Sequence, residues 1–182
     1  MKNFPRVLGC VGVLMAVLFV LSVSPTFGVD DEFKQQTQSA IDQFKKTDPG
    51  IKTFFSKARG YAVIPTVGKG GIGIGAARGR GLVYEGGRLV GEVKLTQVTI
   101  GAQLGGQTYS EVVFLENKET MDSFKKGDFA LSAQATATAA ASGASANVKY
   151  KQGVAVFTMA TGGLMYEASV GGQKFNFIPL AK

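Results

Sequence analysis

Histidine is absent from this chain of 182 residues, and its one cysteine is Cys10. Without histidine, neither Ser-His nor Cys-His nucleophilic chemistry can be assembled, and His-ligated metal sites are excluded. Cys10 lies in an apolar N-terminal stretch, so the rest of the chain has no thiol for a metal or a disulfide. Stability must therefore come from a packed core. Carboxylate chemistry stays open, through Glu85, Glu92, Glu111 or Glu167, but no pair of these has a spacing that commends acid–base work. No catalytic residue, metal site or cofactor is expected, and the chain reads as a binding protein.

Residues 1–28 have the layout of a cleaved secretory signal peptide. Lys2 and Arg6 precede an apolar run from Val7 to Val23, and Ser24-Pro25-Thr26-Phe27-Gly28 closes it with small and helix-breaking residues. The run is nearly long enough to span a bilayer, which leaves an uncleaved anchor as the alternative. Val7-Leu8-Gly9-Cys10 resembles a lipobox, but the apolar core follows the cysteine, whereas a lipoprotein signal needs it upstream. The expected location is the periplasm or cell envelope. Removing Lys2 and Arg6 with the leader lowers the formal charge from +7 to +5. That balance suits an anionic phospholipid surface or a polyanion in the envelope; nucleic acid is not an expected partner.

Beyond the leader, residues 29–47 read as an amphipathic helix, with Phe33, Thr37, Ala40, Ile41 and Phe44 on one stripe. Residues 48–182 read as one further domain. Asp48-Pro49 opens a second short helix with Ile51, Phe54, Phe55 and Ala58 inward and Gly60 as its stop. The period then changes to two. Tyr61–Ile64 is expected as a short strand halted by Pro65, and Gly86-Gly87 as a hairpin turn. Apolar parity flips between Leu95 and Val98, which predicts a bulge near Thr96-Gln97, and Gly105-Gly106 reads as a turn. A third helix follows, capped by Asn117 and ended by Gly127. Strands are then expected over 129–139, 144–150, 154–160, 164–170 and 174–178. The fold class is α+β, mostly antiparallel β: a compact barrel-like or coiled meander sheet with two N-terminal helices and one inserted helix.

The stretch from Gly68 to Gly81 reads GKGGIGIGAARGRG. It contains a G-x-G-x-x-G string, but more glycine follows where a dinucleotide site needs a helix. On a strand, Gly71, Gly73, Gly75 and Gly79 leave one face almost bare. That face lets another element lie flat against it, or lets a lipid headgroup approach the backbone. Arg78 and Arg80 lie at its far end, and Lys57, Arg59, Lys69, Arg88 and Lys94 are near in sequence. Only Glu85 and Glu92 oppose these cations between residues 57 and 94, a local net charge of +5. The candidate headgroup-binding residues are Arg78, Arg80, Lys69, Arg59 and Lys57, since guanidinium and ammonium groups suit phosphate. Phe33, Ile41 and Phe44 could enter a membrane interface, or could cover the open end of the sheet. Asp30, Asp31 and Glu32 at the start of that helix favour the covering role.

Several blocks resemble the SYLF domain, in its exported bacterial branch. They are Gly60-Tyr61-Ala62-Val63-Ile64-Pro65 with the Gly68–Gly81 stretch, Gly101-Ala102-Gln103-Leu104-Gly105, Phe124-Lys125-Lys126-Gly127, Gly162-Gly163-Leu164-Met165 and Gly171-Gly172-Gln173-Lys174-Phe175. The resemblance covers roughly residues 48–179. It implies a lipid-binding module, associated in eukaryotes with phosphoinositide membranes and in some cases with actin filaments. It also implies lipid contact by the segment from Phe33 to Phe44 and by the basic residues around the Gly-rich block. The chain departs from the eukaryotic pattern in having no tryptophan. With an export leader and no SH3 segment, actin is not an expected partner. The expected function is a non-catalytic, cell-envelope domain recognising anionic phospholipid headgroups. The alternative is an envelope scaffold or protein-interaction domain with no lipid ligand.

Overall fold

The computed structural model describes residues 29–127, 129–132, 135–162 and 170–180. Residues 1–28, read above as a leader, lie outside them, as do residues 164–169 of the strand expected over 164–170. Helix α1 spans Asp31–Thr47, and the Asp30 carboxylate accepts from the Glu32 amide at its start. Its stripe packs as the periodicity predicts: Thr37, Ala40, Ile41 and Phe44 are buried. Removing Ile41 or Phe44 from water is worth roughly 1.5–3 kcal/mol each. Asp48 ends α1, accepts from the Gly50 amide, and holds a single 3-10 turn, Pro49–Ile51. A short helix α2, Lys52–Lys57, follows and ends at Ala58, two residues before the expected Gly60.

Two long strands then form the body of the sheet. Strand β1 is Gly60–Glu85 and β2 is Arg88–Leu115, antiparallel from Gly60↔Leu115 to Glu85↔Arg88. Gly86 and Gly87 turn between them with φ of 56° and 77°, left-handed values that glycine adopts without strain. Helix α3, Lys118–Lys125, is capped by Asn117, whose side chain accepts from the Thr120 amide. Strand β5, Val154–Gly162, and strand β6, Lys174–Pro179, both lie on the second edge of β2, at its opposite ends. Strand β3, Phe129–Ala130, adds outside β6, and β4, Thr138–Ala139, runs parallel to β5. The class is therefore α+β, a mostly antiparallel sheet curled into a half-barrel. The connectivity is not a simple meander, because one strand serves two later ones.

The structure departs from the sequence reading at several places, among them the strand expected over 129–139, which among the described residues appears only as β3 and β4 at its two ends. Pro65 does not end a strand: β1 continues through a register shift between Ile64 and Val67, where a residue without an N–H is tolerated. The Ser110 hydroxyl donates to the Pro65 carbonyl at 2.7 Å across that shift. There is no bulge at Thr96-Gln97, which keep register with Arg78 and Ala77. Gly105-Gly106 is no turn, since β2 runs through it. Residues 144–147 form a 3-10 turn instead of a strand, held where the Asp48 carboxylate accepts from the Ser145 amide at 2.7 Å.

Strand β1 doubles back on itself. Tyr61 and Tyr84 stack with ring centroids 5.1 Å apart, and Gly60 faces the Tyr84 carbonyl. A Cβ placed on Gly79 would lie 2.6 Å from Ile64 Cγ2 and 3.1 Å from Val67 Cγ2. One on Gly81 would strike the Val63 carbonyl, and one on Gly71 the backbone of Ile74 and Gly75. The first half of β1 thus lies against the second, and the bend sits at Gly71–Gly75. The core divides into two clusters. Inside the curl are Ile64, Val67, Ala77, Val83, Val93, Leu95 and Val113, closed by Met121 and Phe124 of α3. On the outer side, α1 and Ile51 pack on Val63, Val112, Phe114 and Phe157.

Gly81→Ala should lower stability by on the order of 2 kcal/mol, because the added carbon meets backbone that cannot rotate away. Gly68→Ala, with no atom within 4 Å of the added carbon, should be close to neutral. Urea denaturation midpoints compare the two; equal midpoints would mean that the halves of β1 are not in close contact.

Candidate functional site

The alternation of β1 sets two faces with opposite character. Gly75 and Ala77 are buried toward the curl, whereas Ile74, Ala76, Arg78 and Arg80 are exposed on the outer face. The register of β2 places Val98 beside Ala76, Thr96 beside Arg78 and Lys94 beside Arg80. Strand β6 then places Lys174 beside Thr96 and Asn176 beside Lys94. Directly paired residues of an antiparallel sheet share a face, so these side chains form rows across three strands. Thr96, Val98, Lys94, Lys174 and Asn176 are all exposed.

Arg80 is tied down within this face. Its Nε donates to Glu92 Oε2 at 2.7 Å, and its guanidinium lies 4.4 Å from the centre of the Phe33 ring. The hydrogen bond to Glu92 favours the charged form of Arg80 still further. Arg78, Lys94 and Lys174 have no ion pair among the described residues. Their charges are offered to solvent, and α1 covers the same face only from Arg80 onward.

The other cations of the sequence cluster do not join them. Arg59 pairs with Glu85 at 2.9 Å, and Lys125 reaches the same carboxylate at 2.9 Å. The two cations hold the Glu85 carboxyl below its ordinary range, the Lys125 hydrogen bond first among the causes. Arg59 also accepts at its carbonyl from the Gly86 amide, which places it at the hairpin-turn end. That end is about 20–25 Å along β1 from Arg78, at about 3.3 Å per residue. Lys57 is exposed at the end of α2 beside it. Lys69 is half-buried in the first half of β1, opposite Gln107 and on the face that Val67 turns to the core. Five cations near in sequence therefore occupy three places.

The glycines and the helix are also accounted for by packing. At Gly71 and Gly79 the backbone or side chain that approaches is the chain's own, and Gly75 is buried. The surroundings of Gly73 fall outside the described residues. Ile41 and Phe44 are 3% and 0% exposed beneath α1, so the helix does not present them to a membrane. They cover the sheet. Phe33, half-buried, stacks on Arg80 instead. Sequence reasoning gave no role to Lys174, which lies far from the Gly-rich block and reaches it only through the β6 register. The exposure of Val98 had a signal: the parity flip after Leu95, which marks an apolar residue facing out and not a bulge.

Within the curl, Glu111 is fully buried. Gln173 Nε2 donates to its Oε2 at 3.0 Å and to the Tyr109 hydroxyl at 3.3 Å. Glu111 Oε1 has no hydrogen-bond partner. Burial pushes the Glu111 carboxyl up to about 8, opposed in part by the Gln173 hydrogen bond. Burial likewise raises the Tyr109 hydroxyl, with the Glu111 charge adding to it. The remaining carboxylates considered for catalysis are ion-paired, as Glu85 and Glu92 are, or fall outside the described residues, as Glu167 does. No group of three or more metal-ligating side chains occurs among the described residues. No helix among them is long and apolar enough to cross a membrane. A groove of about 640 Å³ is lined by residues from 129–132, 135–138 and 147–156, and Ala130 of its lining pairs with Lys174.

Comparison with known proteins agrees with the family resemblance. Residues 96–177 match the family Ysc84, described as "Las17-binding protein actin regulator". Over 140 residues the chain is 26% identical to Beta cell expansion factor A of Aeromonas veronii, covering 75% of this chain and 52% of that protein. The chain thus spans about half the length of the curated relative it matches. Residues 96–177 carry a Ysc84, or SYLF, match, and the family is one of binding domains whose partners include lipids and actin-related proteins.

Because the fold holds the Glu111 proton more tightly than the unfolded chain does, its protonated form favours folding. That contribution is complete below the ordinary carboxylate range and is lost as pH rises toward about 8. Thermal melts should show stability falling over this window, by at most about 1.4 kcal/mol per pH unit. Glu111→Gln should flatten the slope. A slope unchanged in that variant would assign the pH dependence to another group.

Proposed function

We propose that this SYLF-type chain is a non-catalytic lipid-binding domain of the cell envelope, exported by a cleaved leader, that recognises anionic phospholipid headgroups at a membrane surface. The observation that carries the reading is the set of rows Arg78–Thr96–Lys174 and Arg80–Lys94–Asn176 on one exposed face. Among the described residues Arg78, Lys94 and Lys174 have no ion pair, and Thr96 and Asn176 add a hydroxyl and an amide to the rows. Arg78 can donate two hydrogen bonds to one phosphate, while the lysines act as point charges. Three unscreened cations near an anionic surface contribute about 1 kcal/mol each, a sum that weakens as salt rises. A second reading, a protein-interaction domain, is favoured by the protein-binding description of the matched family.

All described elements lie between residues 31 and 179, so the leader-free chain carries the whole described fold. It should co-sediment with vesicles containing phosphatidylglycerol and not with pure phosphatidylcholine. Arg78→Glu/Lys94→Glu should reduce that binding by about tenfold or more, with circular dichroism unchanged. Binding to both vesicles alike, or full binding by the variant, would refute the cationic face. Lipid-independent capture of a protein partner would favour the second reading.

A further inference from the structure

The outer face changes character along its length. Ile74 is 65% exposed and Val98 is 70% exposed, the two most exposed large apolar residues among those described. They are diagonal neighbours across β1 and β2, with exposed Ala76 beside Val98. All three lie at the bend of the folded hairpin, where β1 turns at Gly71–Gly75. The cationic rows begin immediately behind them, at Arg78 and Lys174. In the other direction along the face lies the Arg80–Glu92 pair. From bend to body the order is therefore apolar, cationic, then neutralised.

This order matches the layering of a membrane surface read from inside outward. Val98 lies two residues beyond the Arg78–Thr96 pair, a distance of about 7 Å along the strand. The polar layer on each side of a bilayer is roughly 5–8 Å thick. A sheet edge meeting the membrane bend-first would put Ile74 and Val98 at the top of the hydrocarbon when Arg78 and Lys174 reach the phosphates. Apolar residues this exposed on a soluble face are ordinarily avoided when they cluster. The flanking cations give the patch a charge complement that an uncharged partner would not use.

We infer that the bend of the β1–β2 hairpin is a membrane wedge, with Ile74 and Val98 entering the acyl boundary of an anionic bilayer while Arg78, Lys94 and Lys174 hold the headgroups. The inference rests on the headgroup reading above and adds depth and orientation to it. It also assigns insertion to the sheet, since Ile41 and Phe44 of α1 are buried.

The chain has no tryptophan, so a single introduced indole reports alone. Ile74→Trp and Val98→Trp are each prepared in the leader-free protein, with Arg88→Trp, at the exposed opposite end, as the reference. Vesicles contain phosphatidylglycerol with or without brominated acyl chains. The wedge requires a blue shift and bromine quenching at positions 74 and 98 and neither at 88. Ile74→Ser/Val98→Ser should weaken vesicle binding by about tenfold while leaving selectivity for anionic lipid intact. Salt-sensitive binding to anionic vesicles with both indoles still in water would overturn the wedge and leave the headgroup reading standing. Absence of vesicle binding by the unaltered protein would overturn both. A blue shift that grows with protein concentration and needs no vesicles would overturn the wedge in favour of a second copy of the chain on this patch.

Discussion

The two halves of β1 meet with Gly79 and Gly81 against Ile64, Val67 and the Val63 carbonyl, closer than strands bearing side chains can approach. Sheets packed face to face through side chains stand about 10 Å apart. Removing those side chains at alternate positions of one half lets the long hairpin fold over and still exclude water. The rest of the architecture follows from that fold. Strand β2, doubled along with β1, presents one continuous edge whose two ends receive β5 and β6. With a single cysteine, Cys10, the chain can form no internal disulfide to hold such a curl, so close backbone contact and the two apolar clusters must hold it.

The same alternation that places glycine inside places arginine outside. The bare face and the cations are therefore not two sides of one ligand cleft. They are opposite faces of one strand. Glycine serves the core, and Ile74, Ala76, Arg78 and Arg80 are displayed by default of parity. Ion pairing then sorts the cations. Glu85 neutralises Arg59 and Lys125 at the turn end, and Glu92 neutralises Arg80. Among the described residues, Arg78, Lys94 and Lys174 are left without an ion pair near the bend. Helix α1 covers the outer face where its Phe33 stacks on Arg80, and the uncovered part is the part that carries free charge.

A polar cluster inside the curl shows what the fold tolerates. Glu111 faces the core between Tyr109 and Val113, an inward carboxylate that accepts a hydrogen bond from Gln173 and leaves its second oxygen without a partner among the described residues. Burying a charge there would cost far more than burying a protonated acid, so the carboxyl holds its proton near neutrality. The arrangement resembles the tuning of a catalytic acid, but the ionisable group beside it among the described residues is the Tyr109 hydroxyl, whose own proton is held more tightly by burial and by the Glu111 charge. Its consequence is a stability that depends on pH.

Residue pattern alone determined the helices, the Gly86-Gly87 turn, the α+β class and the family resemblance. Local rules set these: helical stripes, capping by Asp48 and Asn117, and left-handed glycines. Alternation also marked β1, β2, β5 and β6, but it overran at 129–139 and failed at 144–150, and Pro65 misled because a bulge absorbs its missing donor. The candidate site was legible at Arg78 and Arg80 and not elsewhere. Nearness along the chain grouped Lys57, Arg59 and Lys69 with them, but the doubling of β1 separates the three. Lys174 joins because β6 pairs with the far edge of β2, a contact that no local signal encodes. The exposure of Ile74 was likewise decided by register, since an apolar residue on a strand looks the same whichever face it takes, whereas Val98 carried a signal in the parity flip after Leu95. Composition and periodicity settle which residues can pair; only the long-range hydrogen-bond register settles which charges stand together on one surface.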